Sequence, residues 1–411
     1  MKIIHPSHIQ GTIQAPASKS MMQRAIAIAT LAHGTSTLHG YTPSNDSNAA
    51  LKIAHNLGAT VTQENTVITI QGGLQPRSTI LNCGEAGLGI RMFTPIASLW
   101  HKPIELHGEG SLTTRPIDSL IQPLTDLGVH ITTNNGFVPV QVCGPMQGGT
   151  ATVDGSLSSQ ILTGLLIASP LAQKDTIFTV HKLQSKPYID MTIQIMQDFG
   201  IRVSHTNYET FSIACNQSYT PQNYVVEGDW SGASFHLVAG AIAGTITITN
   251  VRNDSKQADM ALVEALRLAG AKIQLHNNSI TISKQELNAF HFDATDCPDL
   301  FPPLVSLAAH CKGVTTIKGV NRLQHKESNR ALVLQTEFAK LGTKIILDAD
   351  IMYIHGGTLT GGRIHANNDH RIAMAGAVAA LLAKQPIEIE NPECVAKSYP
   401  HFWEDFAQIC K

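Results

Sequence analysis

The sequence predicts an α/β chain of the inside-out kind: six repeated βαβαββ-like units, three in each of two domains, with helices buried and sheets outside. Three observations predict it. Glycines recur at a nearly fixed step, apolar helical segments recur beside them, and the 411 residues exceed what one ordinary core holds.

The glycines come first. LGATV, LGVHI, FGIRV, AGAKI and LGTKI carry Gly58, Gly128, Gly200, Gly270 and Gly342, at steps of 70, 72, 70 and 72 residues. An amphipathic helical pattern precedes each, and alternating β-branched stretches follow, as in VTQENTVITI and KIQLHNNSITI. Each repeat therefore ends helix, glycine, strand, strand. One more step from Gly342 overruns the chain, so a sixth repeat lacks its own closing strands. Residues 1–16, KIIHPSHIQ followed by GTIQAP, read as two short strands that would supply them. The division that follows puts residues 18–227 (repeats 1 to 3) in one domain and residues 1–17 with 228–411 (repeats 4 to 6) in the other. The two strands crossing between domains would act as a hinge.

The helices come second. RAIAIATLA, GIRMFTPIASLW, SQILTGLLIASPLA, ASFHLVAGAIAG, LFPPLVSLAAH and RIAMAGAVAALLA are apolar on nearly every side, the mark of buried helices, and one opens each unit.

Composition bounds the function. Hydrophobic residues are 43% and charged residues 15%, with 29 Lys+Arg against 31 Asp+Glu, which excludes a disordered chain and a nucleic-acid polycation. The longest apolar run, Ile372–Ala383, falls short of the ~18 residues needed to cross a bilayer, and MKIIHPSHIQ has no secretory-signal pattern, so a cytoplasmic location is expected. Seven cysteines without a CxxC pair read as free thiols, and nineteen histidines without HExxH spacing give no metal site.

Polar residues cluster where the greasy helices begin: Lys19, Ser20 and Arg24; Glu85, Gly87 and Arg91; Ser158, Ser159 and Gln160; Asp229, Trp230 and Ser231; Asp299; and Asp369, His370 and Arg371. Ser158 and Asp229 can be simple caps. Lys19, Arg24, Arg91 and Arg371 cannot, because a cation at a helix N-terminus opposes the helix dipole unless an anion sits there too. Six buried helices whose N-termini face one common cleft would focus that field on a small, multiply negative ligand. The second helices add Arg115, Ser185, Lys186, Tyr188, Lys326, Glu327, Arg330 and Lys397. GLGIRM lacks the third glycine of a dinucleotide loop, and Ser18 stands where a Walker A lysine needs a preceding glycine, so neither nucleotide motif is present.

PASKSMMQRAIAIATLA, CGEAGLGIRM, TRPID, DGSLSSQ, SKPYID, PDLFP, KESNR, NNDHRIAMA and AKSYP, in this order from Lys19 to Lys397, resemble the 5-enolpyruvylshikimate-3-phosphate synthase (3-phosphoshikimate 1-carboxyvinyltransferase) family. The resemblance implies transfer of the enolpyruvyl group of phosphoenolpyruvate to the 5-hydroxyl of shikimate 3-phosphate, without metal or organic cofactor, by a monomer. It implies that Asp299 accepts the hydroxyl proton, that Glu327 donates and later recovers the methylene proton, and that Lys19 touches both substrates and helps phosphate leave. For shikimate 3-phosphate it implies Lys19, Ser20, Arg24, Ser158, Ser159, Gln160, Ser185, Asp299 and Lys326. For phosphoenolpyruvate it implies Lys19, Gly87, Arg115, Gln160, Arg330, Arg371 and Lys397, with Tyr188 and His370 in support.

The chain departs from the commonest family pattern at Glu85, Leu88 and Met92, which border the expected phosphoenolpyruvate pocket and bear on its response to glyphosate. It departs again at Arg322, Gln324 and Asn329, which receive no role. Two rivals fit less well. UDP-N-acetylglucosamine enolpyruvyl transferase typically has Lys-Asn where Lys19-Ser20 stands, and many of its members carry a loop cysteine absent from 101–115 here. A non-catalytic repeat scaffold would not need Asp299, Glu327 and Lys19 together.

Overall fold

The computed structural model describes residues 1–411. The chain divides into two compact units, Lys19–Val226, and Met1–Ser18 with Glu227–Lys411.

The five marker glycines do the same job in the same geometry. Helices Asn45–Asn56, Ile121–Asp126, Lys186–Asp198, Leu262–Leu268 and Arg330–Lys340 each end two residues before one of them, and the glycines have φ of +116°, +78°, +88°, +89° and +90°. In each, the glycine N–H donates to the carbonyl three residues back and the next N–H to the carbonyl five residues back, as in Gly270 to Arg267 (2.9 Å) and Ala271 to Leu266 (2.9 Å). This paired bonding closes the open carbonyls of the last turn and needs a left-handed residue, which glycine supplies at no Cβ cost. The period read from the sequence is thus a period of helix stops.

Six small sheets follow from it. In the second repeat, Ile80–Asn82 runs parallel to Ile104–His107, which pairs antiparallel with Phe137–Cys143, which pairs antiparallel with His130–Asn134. Five sheets repeat this order of four strands. In the first repeat, the strand parallel to Gly34–His39 is Asn223–Val225; in the fourth, the strand parallel to Gly244–Thr249 is Ile9–Gln14.

That last pairing corrects the expectation for the sixth unit. Lys2–Ile4 does close it, antiparallel to Ile387–Glu390, but Ile9–Gln14 joins the fourth sheet, leaving the sixth with three strands. The reason lies in the packing of that strand. Its Ile9 and Ile13 are buried beside the GTITIT strand, and a Cβ on Gly11 would lie 3.1 Å from Ile409, so the strand fits between that partner and helix Phe402–Ile409.

The core of each unit is a group of three helices. Every residue of Gly87–Ala97, Trp230–Ala243, Phe301–Ala309 and His370–Ala380 is buried, as are Met21–Leu31 and Ile161–Ala168. Small residues allow close approach: a Cβ on Gly164 would lie 2.3 Å from the Arg91 carbonyl oxygen. No helix is long and apolar enough to cross a membrane.

Candidate active site

In the Lys19–Val226 unit, the cations predicted for the site fall into two groups. Arg24 is 1% exposed and turned inward. Its Nε donates to Thr192 Oγ1 (2.8 Å), Nη1 to the Ser20 carbonyl (2.8 Å), and Nη2 to Thr163 Oγ1 (3.3 Å) and the Tyr188 carbonyl (3.5 Å). It ties three helices together, and burial pushes it down to about 10. Sequence gives the charge of Arg24 but not these acceptors. Lys19 likewise has a partner of its own, Asp46, at 2.8 Å.

Arg91 and Arg115 form the second group, a neighbouring pair of buried cations of which Arg115 has a buried donor without an acceptor. Arg91 reaches the Gly87 carbonyl (3.1 Å), the Pro116 carbonyl (2.7 Å) and Gln160 Oε1 (3.4 Å). Burial pushes it down to about 9, the Arg115 charge pushes the same way, and Asp118 opposes. Arg115 is 8% exposed, and its buried Nε has no acceptor. Its guanidinium lies against Gly87, where a Cβ would come within 2.4 Å of Nη1. Two neighbouring buried cations with donors to spare are a seat for an anion. Ser158 Oγ accepts from the Gln160 N–H at 3.2 Å, so its hydroxyl caps that helix, with Ser159 between them and buried. Ser185 starts helix Lys186–Asp198 from a left-handed conformation (φ +57°), and its carbonyl accepts from the Tyr188 N–H (3.1 Å).

The departures near this group have structural roles. Glu85 Oε2 accepts from the Ser111 N–H (2.9 Å), bracing the Gly110–Thr114 turn that leads into Arg115. Leu88 and Met92 are buried in the Gly87–Ala97 helix.

In the other unit, Arg330 is fully buried and shared among three carboxylates. Nε donates to Asp369 Oδ2 (2.9 Å), Nη1 to Asp299 Oδ1 (2.8 Å), and Nη2 to Glu327 Oε2 (2.6 Å) and Asp369 Oδ1 (3.3 Å). Burial opposes its charge, but Asp369, Glu327 and Asp299 outweigh burial and raise it. Asp299 also has Lys326 Nζ at 3.3 Å and Arg371 Nη2 at 3.2 Å. Burial favours its neutral form, but Arg371, Lys326 and Arg330 outweigh that and hold the carboxyl well below the usual range. Arg371 Nη1 faces His370 Nε2 at 2.6 Å, which makes that nitrogen the acceptor, and its buried Nε has no acceptor. Lys397 is 5% exposed and donates to the Asn368 carbonyl (2.6 Å).

The structure therefore brings Asp299, Lys326, Glu327, Arg330, His370 and Arg371 into one network of the second unit, and Gly87, Arg115 and Gln160 into one network of the first. By sequence, Asp369 is only a helix-start residue. It is the cap of the His370–Ala380 helix, accepting from the Arg371 N–H (3.0 Å), and it is also the main counterion of Arg330. Asn329 caps helix Arg330–Lys340 through the Leu332 N–H (3.5 Å).

With that geometry in view, the comparisons with known proteins decide the family. The sequence model of EPSP synthase (3-phosphoshikimate 1-carboxyvinyltransferase) matches residues 3–406. The chain belongs to the EPSP synthase family. Similar curated proteins are the 3-phosphoshikimate 1-carboxyvinyltransferases of Clostridium perfringens strain SM101, 36% identical over 99% of this chain and 97% of that protein, and of Methanocorpusculum labreanum, 36% identical over 99% and 98%. A solved EPSP synthase from Acinetobacter baumannii superposes with a TM-score of 0.86 at 27% identity, over 99% of this chain and 98% of that one.

Proposed function

We propose that this EPSP synthase family chain transfers the enolpyruvyl group of phosphoenolpyruvate to the 5-hydroxyl of shikimate 3-phosphate, releasing phosphate. The observation that carries the chemical reading is Arg330 holding Asp299 at 2.8 Å and Glu327 at 2.6 Å. Transfer needs one group to take a proton from oxygen and another to give a proton to carbon, and one buried cation here positions two carboxylates together. Asp299, kept ionised by its cations, takes the 5-hydroxyl proton as that oxygen attacks the phosphoenolpyruvate carbon. Glu327 protonates the methylene carbon, then recovers a proton as the carbon–oxygen bond to phosphate breaks and the double bond re-forms. Lys19 assists the departing phosphate.

Phosphoenolpyruvate is taken by Lys19, Gly87, Arg115, Gln160, Arg330, Arg371 and Lys397. The buried Nε atoms of Arg115 and Arg371, both without protein acceptors, support the two arginines as its oxyanion donors. Shikimate 3-phosphate is taken by Lys19, Ser20, Ser158, Ser159, Gln160, Ser185, Asp299 and Lys326, with Tyr188 and His370 in support. Arg24 belongs to this set as well: four of its five N–H donors hold Thr192, Thr163 and the Ser20 and Tyr188 carbonyls, and one Nη1 hydrogen remains for the ligand. In this reading the two compact units are the two three-repeat domains, and the protein acts as a monomer in the cytoplasm, which suits seven unpaired thiols.

The test is phosphate release from phosphoenolpyruvate with shikimate 3-phosphate or UDP-N-acetylglucosamine as acceptor, followed by mass analysis of the products. Release with the first alone, with the enolpyruvyl ether formed, is the expected result. Release with the second alone would overturn the substrate assignment, and no release with either would leave a binding protein.

A further inference from the structure

Arg371 is aimed by two residues to which no role has been given. Its Nη2 carries two hydrogens; one goes to Ser231 Oγ and the other faces Asp299 Oδ2 at 3.2 Å. A hydroxyl that accepts from a guanidinium keeps its own hydrogen for a second partner, and the Asp259 carboxyl, whose buried Oδ1 has no hydrogen-bond partner, is the charged group beside Ser231 and Arg371. Ser231 is 8% exposed and Asp259 3%.

Neither residue is loosely held. The Ser231 N–H donates to Asp229 Oδ1 (2.9 Å), which caps the Trp230–Ala243 helix. The turn that carries Asp259, Ala258–Ala261, is docked on the start of that helix by Gln257. Gln257 Oε1 accepts from the Trp230 N–H (3.1 Å), and its Nε2 donates to the Gly228 carbonyl (2.8 Å) and Glu227 Oε1 (2.9 Å).

We infer that Ser231 and Asp259 are positioning residues for Arg371: through the serine hydroxyl they fix Nη2 between Ser231 and Asp299, so that the remaining donors of the guanidinium meet a substrate oxyanion. This rests on the proposed transfer reaction. The charge balance agrees: burial first, then the Asp299 charge, push Asp259 up to about 7, while Arg371 opposes, so the group beside Arg371 is poised between a neutral and an ionised acceptor.

The experiment is steady-state kinetics on Ser231→Ala, Ser231→Thr, Asp259→Asn and the double variant Ser231→Ala/Asp259→Asn, with thermal unfolding to show that each is folded. Loss of one hydrogen bond to a charged group predicts that Ser231→Ala raises the KM for phosphoenolpyruvate about tenfold, with the KM for shikimate 3-phosphate unchanged. Ser231→Thr, which keeps the hydroxyl, restores most of it. The double variant behaves like Ser231→Ala alone, because Asp259 acts through the serine. Unchanged KM in Ser231→Ala, equal shifts for both substrates, or additive effects in the double variant would overturn the inference. Wild-type turnover is the control that separates the two claims: its absence counts against the reaction itself, whereas normal wild-type turnover with an unshifted Ser231→Ala counts against the positioning role alone.

Discussion

Arg330 and Asp369 meet through two hydrogen bonds, Nε to Oδ2 at 2.9 Å and Nη2 to Oδ1 at 3.3 Å, with both side chains fully buried. The carboxylate compensates the arginine in the core, so the remaining Arg330 donors can reach outward to Asp299 and Glu327. Asp369→Ala leaves an under-compensated buried cation and removes a helix cap. It is expected to cost about 3–5 kcal/mol in urea unfolding. A loss below about 1 kcal/mol, within reach of the cap alone, would show that Asp299 and Glu327 suffice as counterions.

Gly87 is required by Arg115 rather than by its own backbone. A Cβ there would sit 2.4 Å from Arg115 Nη1 and 2.5 Å from Cζ, so Gly87→Ala must push the guanidinium aside. Because the far end of a flexible side chain moves cheaply, thermal stability should hold while the KM for phosphoenolpyruvate rises several-fold. An unchanged KM would remove Arg115 from the phosphoenolpyruvate site.

The helix-stop glycines separate two costs. On Gly270 (φ +89°) the nearest atom to an added Cβ is the Glu286 carbonyl oxygen at 3.4 Å, so Gly270→Ala should cost only the left-handed backbone term, about 1–2 kcal/mol. On Gly58 the Cβ would lie 2.4 Å from the Gln75 carbonyl oxygen, and Gly58→Ala should cost more in the same denaturation assay. Equal costs would mean that the Gln75 loop yields freely.

Stability against pH has a calculable sign. Burial lowers His236 from 6.5 to about 3 and His310 from 6.5 to about 4, so below pH 6.5 the unfolded chain takes two protons that the folded chain refuses. Their contribution is complete above 6.5 and is lost as pH falls. Asp259, raised from 3.8 to about 7, runs the other way: between these values the folded chain holds a proton that the unfolded chain releases. The three together predict that stability falls by about 1.4 kcal/mol per pH unit between pH 6 and 5, and that Asp259→Asn steepens the slope toward about 2.7. A slope that Asp259→Asn leaves unchanged would place the buried proton elsewhere.

How much of this was legible in the sequence follows from what each feature depends on. The repeat was legible because the Gly58, Gly128, Gly200, Gly270 and Gly342 stops depend on local backbone geometry, which glycine satisfies at no Cβ cost. The partner of Ile9–Gln14 was not, because a short alternating strand does not encode which of two open sheet edges it joins; the fit of Gly11 against Ile409 decides it. The cations at the helix starts were legible as charges. That Arg24 engages four of its donors inside its unit while Arg115 keeps an unpaired Nε depends on Thr163 and Thr192, about 140 and 170 residues away in sequence. Asp259 sits at no repeat-equivalent helix start, and only its contact with Ser231 marks it.

The division of labour between Asp299 and Glu327 is the centre of the account, and hydrogen isotope exchange reads it directly. Turnover of phosphoenolpyruvate and shikimate 3-phosphate in D2O should place deuterium in the methylene group of the enolpyruvyl product. Glu327→Gln should lose that incorporation along with about 10²–10⁴-fold in kcat, while substrate binding persists. Deuterium incorporation by Glu327→Gln at the wild-type rate would contradict the account, because the proton would then reach carbon from another group.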